Sequence, residues 1–405
     1  MNFPLMKFID NLFGKAICRL LTIYDAILGK GDGIENQNPE RILLIKFFGI
    51  GSIIYISPSI RALRDKYPNA KISFLTFAEH TGLCEMIDGI DNVITFKIRG
   101  LINLIKDVPL LILKLRKEKF DRVYNFEFHA RFPTIVSYLS GAREMTEFHS
   151  DFFYKGNLRS KKIPYTLDRH VISSFMDMVS DNHSGLSNLS INLSLQALSR
   201  ELNIPASDER YIDSFLAYHI KPANPPSPPF SKGGMGGLIG VNINTSGMAY
   251  ERRWHIKKFT SLIELLINRY DAYIFLTGGK GDFNYVSSLK EFFKNNERVI
   301  NTAGKLSLKQ LAALYKRCNL VISNDSGPLH IAEAVGTKTV SLFGPETPAH
   351  YGPIGENHTV IYKALPCSPC LSPLNMKSAN CNIGVKCMES ITVDEVFSAV
   401  RGMLR

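Results

Sequence analysis

Apolar side chains recur near a 3.6-residue period at Leu5, Ile9, Phe13, Ile17, Leu20, Tyr24 and Ile27, which predicts one amphipathic helix over residues 5–28. Lys7, Asn11, Cys18, Thr22 and Asp25 take the other face, and Gly29, Gly31 and Gly33 end the helix. Two placements suit that pattern. Either the apolar face packs on the protein's own body, or the helix lies in a membrane interface with Lys7, Lys15 and Arg19 toward anionic lipid. From residue 41 the pattern changes to short apolar runs at 41–46, 71–76, 93–96 and 122–126. These read as buried parallel strands, with helices through Pro58, Ile60, Leu63 and Tyr67 and over about 101–119 as crossovers.

Residues 222–237 are rich in Pro and Ser, then in Gly, and predict no packed element. Strand and helix then alternate again. Strands are predicted at 238–243, 273–277, 320–323 and 339–343, and helices at 257–270, 308–318 and from Pro328 to Val335. The expected fold class is α/β. Its parts are an N-terminal amphipathic helix (1–35), a Rossmann-like domain (36–220), a linker or insertion (221–237) and a second Rossmann-like domain (238–405). Two such domains in series are expected to form a cleft between the carboxyl ends of their strands, where sheets of this kind bind ligands, and this favours a nucleotide-related one.

Composition narrows the partner. Of 405 residues 45% are hydrophobic and 21% charged, which excludes a wholly disordered, collagen-like or coiled-coil chain. Forty-eight Lys and Arg against 37 Asp and Glu leave a net charge of +11, which favours an anionic partner: a nucleotide, a phosphorylated glycan, an acidic membrane surface or a nucleic acid. No zinc finger, RNP pattern or basic-aromatic platform is present, so nucleic acid is not expected. No apolar run reaches the ~18 residues of a membrane span. Asp10, Asn11, Lys15 and Arg19 interrupt any secretory signal, and the expected location is cytoplasmic. Cys367, Cys370, Cys381 and Cys387 have the spacing C-x2-C-x10-C-x5-C. The second pair is too wide for an ordinary zinc ribbon, so no metal is expected and a structural thiol cluster or facultative disulfide is preferred.

The strongest chemical signal is Asp325-Ser326-Gly327-Pro328-Leu329-His330, between a strand and a helix. Gly327 admits close backbone approach, and the N–H groups of the first helical turn suit an anion, with His330 beside them. The plainer alternative is a helix cap by Asp325 or Ser326. Gly344-Pro345-Glu346-Thr347-Pro348 is a turn at the same sheet edge. Thr245, Ser246, Arg252 and Arg253 offer hydroxyls and guanidinium groups suited to a diphosphate; alternatively they form a solvated loop anchored by Trp254. Gly278-Gly279-Lys280-Gly281-Asp282 lacks the P-loop spacing but remains a nucleotide-contacting loop by position. In the first domain Gly49-Ile50-Gly51-Ser52 ends the first strand and Glu127 follows the fourth. Glu127 is placed either as a general base or as a surface carboxylate paired with Arg131.

Together these segments resemble glycosyltransferase family 9, the bacterial lipopolysaccharide heptosyltransferases. The resemblance rests on Arg41-Ile42-Leu43-Leu44-Ile45-Lys46 with Gly51, Pro58-Ser59-Ile60-Arg61-Ala62-Leu63, Arg253-Trp254, Asp325 to His330, Phe343-Gly344-Pro345 and Cys367-Ser368-Pro369-Cys370. It covers about residues 40–395. It implies a GT-B fold, two facing Rossmann-like domains with the active site between them, the acceptor on the first and the nucleotide sugar on the second. It implies inverting, metal-independent transfer of a sugar, typically heptose from ADP-heptose, with no cofactor. The acceptor would be a lipid-linked or lipopolysaccharide-type glycan; the basic surface and amphipathic N-terminus suit a peripheral location of the protein on the cytoplasmic face of the inner membrane, where such an acceptor would be found. Asp325, Ser326, Gly327 and His330 fall on the family's donor motif; Thr245, Ser246 and Arg252 fall near its diphosphate loop, and Asp282 joins this donor set. Arg252 stands where Lys is usual. The family's base is an Asp in the first loop, and here that position is Ser52. A lone Ser hydroxyl does not deprotonate an acceptor at neutral pH, so Glu127 is the expected base. Two alternatives remain: a GT-B transferase using another nucleotide sugar, and a sugar-nucleotide- or glycan-binding homologue without turnover.

Overall fold

A computed structural model describes residues 3–28, 38–98, 100–149, 153–180, 202–220, 237–245, 247, 249–372, 381 and 383–405. The predicted linker lies outside the described residues except for Gly237. The chain divides into two compact units, Met1–Ile191 and Asn192–Arg405.

In the first unit β1 (Arg41–Ile45), β2 (Lys71–Phe77), β3 (Asn92–Phe96), β4 (Arg122–Asn125), β5 (Glu144–His149) and β6 (Lys161–Pro164) form one parallel sheet. Its order is β3-β2-β1-β4-β5-β6. In the second unit β7 (Leu238–Asn242), β8 (Tyr273–Leu276), β9 (Val299–Asn301), β10 (Leu320–Asn324), β11 (Thr339–Phe343) and β12 (His358–Tyr362) form another, ordered β12-β11-β10-β7-β8-β9. Central strands such as Ile42–Ile45 are buried along their length, because crossover helices cover both faces of a parallel sheet. This is the expected α/β class. In each sheet the strand order reverses beside the first strand, so the ligand-binding crevice of such a sheet falls between β1 and β4, and between β7 and β10.

One placement differs from expectation, and a second departs from the first of the two alternatives for the N-terminal helix. Helix Ala206–His219, counted with the first domain from sequence, packs in the second unit. Ile212 and Leu216 are its buried side chains, while Glu209 and Asp213 pair with Lys316 and Arg317 at the end of helix Leu308–Arg317. The N-terminal helix forms over Phe3–Leu28, with a π turn at Asp10–Gly14. However, it docks by its polar side, and its apolar side faces out. Asp10 determines this orientation: its carboxylate accepts hydrogen bonds from the Arg131 and Phe132 N–H groups, at the start of helix Arg131–Leu139. Among the described residues no helix is long and apolar enough to cross a membrane.

Candidate functional site

The second unit's reversal point is built from the loops after β7 and β10. Asn242, the last residue of β7, donates from Nδ2 to Ser326 Oγ (2.7 Å) and Ser323 Oγ (3.1 Å). Asn324, the last residue of β10, accepts at Oδ1 from the Trp254 N–H (3.0 Å) and donates from Nδ2 to the Ile243 carbonyl (2.9 Å). Trp254 is fully buried, and its indole N–H donates to the Ile391 carbonyl, so it is the expected anchor of this loop. Between these ties Arg252 meets Asp325: Nη1 lies 3.1 Å from Oδ2 of Asp325 and 3.8 Å from Oε2 of Glu346. Burial works against the Arg252 charge; the two carboxylates outweigh it and hold the guanidinium above its ordinary pKa.

This alters several expectations. Arg252 is not an open phosphate ligand but the counter-ion of a buried Asp325. Ser326 occupies the N-cap of helix Gly327–Ala334, but its hydroxyl makes no cap bond, because Asn242 and Ser323 engage it. The anion site expected in the first turn is narrower: Pro328 has no N–H, and the Leu329 N–H donates to the Ser326 carbonyl (3.1 Å). Thr245 Oγ1 donates to the Ala249 carbonyl (3.0 Å) and closes the loop after β7. Ser246 lies outside the described residues. His330 is buried, with Nδ1 3.3 Å from Oε2 of Glu333. Asp282 Oδ2 accepts the Gly279 N–H (2.9 Å), so it shapes the loop after β8 and lies 4.0 Å from Arg253.

Beside that loop is an open cavity of about 380 Å³, with Lys280 and Lys305 in its wall. The Phe-Gly-Pro turn after β11 needs its glycine, since a Cβ on Gly344 would stand 2.4 Å from Met388 Sδ. The four late cysteines line one small cavity, next to Pro345 of that turn. Among the described residues no group of three or more His, Cys, Asp or Glu is arranged to hold a metal ion.

In the first unit the loops after β1 and β4 meet in the corresponding way, and Glu127 ties them. Its Oε1 accepts the N–H groups of Phe47 (2.7 Å) and Phe48 (2.8 Å), and Oε2 pairs with Lys46 (2.9 Å). Its own carbonyl accepts from Lys155 Nζ (2.8 Å). Glu127 is therefore neither the surface carboxylate paired with Arg131 nor an open base; both oxygens are already engaged. Arg131 instead pairs with Asp10 and donates to Asn11 and the Tyr154 carbonyl. Ser52 is half-buried in helix Ile50–Ile54, over Gly49, whose φ of +86° suits glycine.

The profile of glycosyltransferase family 9 (heptosyltransferase) matches residues 110–379, more than half of the chain. The chain belongs to glycosyltransferase family 9. It is similar to lipooligosaccharide heptosyltransferase 2 of Campylobacter jejuni, with 27% identity over 173 residues, which span 42% of this chain and about half (51%) of that relative's length. In structure it is similar to a family 9 glycosyl transferase from Veillonella parvula (TM-score 0.70, 21% identity, 92% of this chain and 99% of that one). The ADP-heptose lipopolysaccharide heptosyltransferase II of E. coli is also similar (TM-score 0.68, 19% identity, 90% and 98%).

Two residues of this family 9 protein escaped the sequence reading. His80 follows β2 and lies close enough to Lys46 and Glu127 to feel both charges; burial holds its pKa below the ordinary value, so it is a neutral imidazole near pH 7. Lys305 follows β9 and faces the cavity beside Lys280. Neither sits in a motif, and β9, three residues long, gave no strand signal that would have placed Lys305 at a sheet edge.

Proposed function

We propose that this family 9 protein transfers a heptose from ADP-heptose to a lipopolysaccharide-type acceptor, with inversion and without a metal ion. The observation that carries the reading is the Asp325-Ser326-Gly327 loop, clamped at the β7/β10 reversal point by Asn242 and Arg252. Donor binding is assigned to the second unit. Asp325, Ser326, Gly327, His330, Thr245, Ser246 and Asp282 form the proposed donor loops, and Arg252 acts by holding Asp325. Departure of a diphosphate builds negative charge that cations must offset. Lys280 and Lys305 are proposed for that role, since they line an open cavity at the same sheet edge.

Acceptor binding is assigned to the first unit. A base must take the acceptor's proton. The engaged oxygens of Glu127 suit it to holding the loop after β1, which leads into the helix that carries Ser52, and neutral His80 replaces it as the proposed base. A thermal-shift series over nucleotide sugars tests the donor, because a ligand of the folded state raises its melting temperature. ADP-heptose is expected to raise it, and Lys280→Ala/Lys305→Ala to lose most of that shift. A shift from UDP-sugars alone would reassign the donor. Ser52 favours a second reading, a homologue that binds the nucleotide sugar without turnover; a thermal shift with no ADP release would select it.

A further inference from the structure

A surface helix ordinarily buries its apolar stripe and shows its polar side to water. The helix Phe3–Leu28 does the reverse. Toward the first unit it turns small and polar groups. Asp10 accepts from the backbone of Arg131 and Phe132, Thr22 Oγ1 accepts the Asn157 N–H (3.0 Å), and Asp25 accepts the Tyr138 hydroxyl (2.9 Å). Gly14 and Cys18 are buried among them. Outward it shows Phe8, Leu12, Phe13, Leu20, Ile23 and Ile27, with Leu20 66% and Ile27 76% exposed. A continuous strip of this kind marks an interaction surface, unlike single exposed apolar residues.

Charge identifies the partner. Asp10 and Asp25 are the helix's acidic residues, and both are turned inward and engaged. Lys15 and Arg19, four positions apart and both exposed, edge the outer strip. A second helix, Leu101–Glu118, packs like the first against helix Arg131–Leu139. It exposes Ile105, Leu110 and Leu113 together with Lys106, Lys114 and Lys117. We propose that this side of the first unit docks on an anionic lipid bilayer. The N-terminal helix lies in the plane of the interface, its apolar strip at the headgroup–acyl boundary and the five cations at the level of the lipid phosphates.

A second copy of the chain fits less well. A two-fold interface sets the same patch against itself, which would bring these cations together with no acidic side chain of the N-terminal helix to answer them. The inference rests on the surface of the first unit and not on the proposed reaction, so vesicle binding and sugar transfer succeed or fail separately.

The test is flotation of the full-length protein with vesicles of phosphatidylcholine, with and without phosphatidylglycerol. The protein is expected to float with the anionic vesicles and about ten-fold less with the neutral ones. Leu20→Glu/Ile27→Glu is expected to lose flotation about ten-fold while thermal unfolding is unchanged, because both side chains already face water. Lys15→Glu/Arg19→Glu is expected to weaken binding to anionic vesicles selectively. Absence of flotation in the unmodified protein, or full flotation of the Leu20→Glu/Ile27→Glu variant, would overturn the proposal. So would a dimer by light scattering that this variant converts to a monomer, with no vesicle binding in either form.

Discussion

Arg252 Nη1 lies 3.1 Å from Asp325 Oδ2, and both side chains are almost wholly withdrawn from water. Glu346 adds a second buried carboxylate to the same guanidinium, at 3.8 Å. Removing one member of such a cluster strands the others. Arg252→Met is therefore expected to cost about 3–5 kcal/mol, read from urea unfolding followed by circular dichroism. Arg252→Lys keeps the charge and loses only the fork geometry, so a smaller loss is expected. Equal losses would mean that shape, not charge, holds Asp325.

Glu127 is a clamp for the loop after β1. Glu127→Gln keeps an acceptor for the Phe47 and Phe48 N–H groups but loses the ion pair to Lys46. A loss of roughly 1.5–3 kcal/mol in the same unfolding experiment is expected, the range for a hydrogen bond to a charged group. The pH profile of kcat/KM should keep its acid limb in this variant. Disappearance of that limb would restore Glu127 as the base.

Gly344 shows what the Phe-Gly-Pro turn is for. A Cβ there would approach Met388 Sδ to 2.4 Å and Cys387 Sγ to 3.0 Å. Gly344→Ala is expected to destabilise by about 1–3 kcal/mol, the ordinary cost of overpacking. Adding Met388→Ala should recover part of that. A double mutant no better than the sum of the two single losses would rule out the contact as the cause.

Acid should weaken the fold through two buried histidines before Glu333 titrates. Burial holds His80 and His358 below the ordinary histidine pKa of 6.5, the effect in His358 being offset in part by Glu333. The unfolded chain takes up protons near 6.5 while the folded one resists, so stability is full above that value and falls as pH drops toward the folded values. The melting temperature is expected to decline between pH 7.5 and about 5.5, and His358→Gln should flatten the decline. Glu333, held below the ordinary carboxylate value by His330 despite its burial, contributes a loss only below 4.5 and so does not confuse the window.

The buried middle of each sheet was legible in the sequence. β1, β2, β7, β8, β10 and β11 are apolar runs of ordinary strand length, because both faces of a central parallel strand are covered, and β3 and β4 are expected at 93–96 and 122–126 as well. β5 (Glu-Met-Thr-Glu-Phe-His), β6 (Lys-Lys-Ile-Pro), β9 and β12 escaped. They lie away from the centre of the order, are short or carry charge, and lack that signature. Periodicity found the N-terminal helix but not which side docks; tertiary contacts decide that, Asp10 with helix Arg131–Leu139, Thr22 with Asn157 and Asp25 with Tyr138. Motif spacing found Arg252 and Asp325 as residues, but not that they neutralise each other across 73 positions. Hydrogen-bond partners so distant in sequence leave no local signal.

The central claim is sugar transfer. Its most direct measurement is to incubate the purified protein with ADP-heptose and a heptose-deficient lipopolysaccharide core, following ADP by chromatography and the acceptor by mass spectrometry. ADP release matched by addition of one heptose residue to the acceptor is the expected result. A folded protein that releases no ADP from ADP-heptose and leaves the acceptor mass unchanged would contradict it.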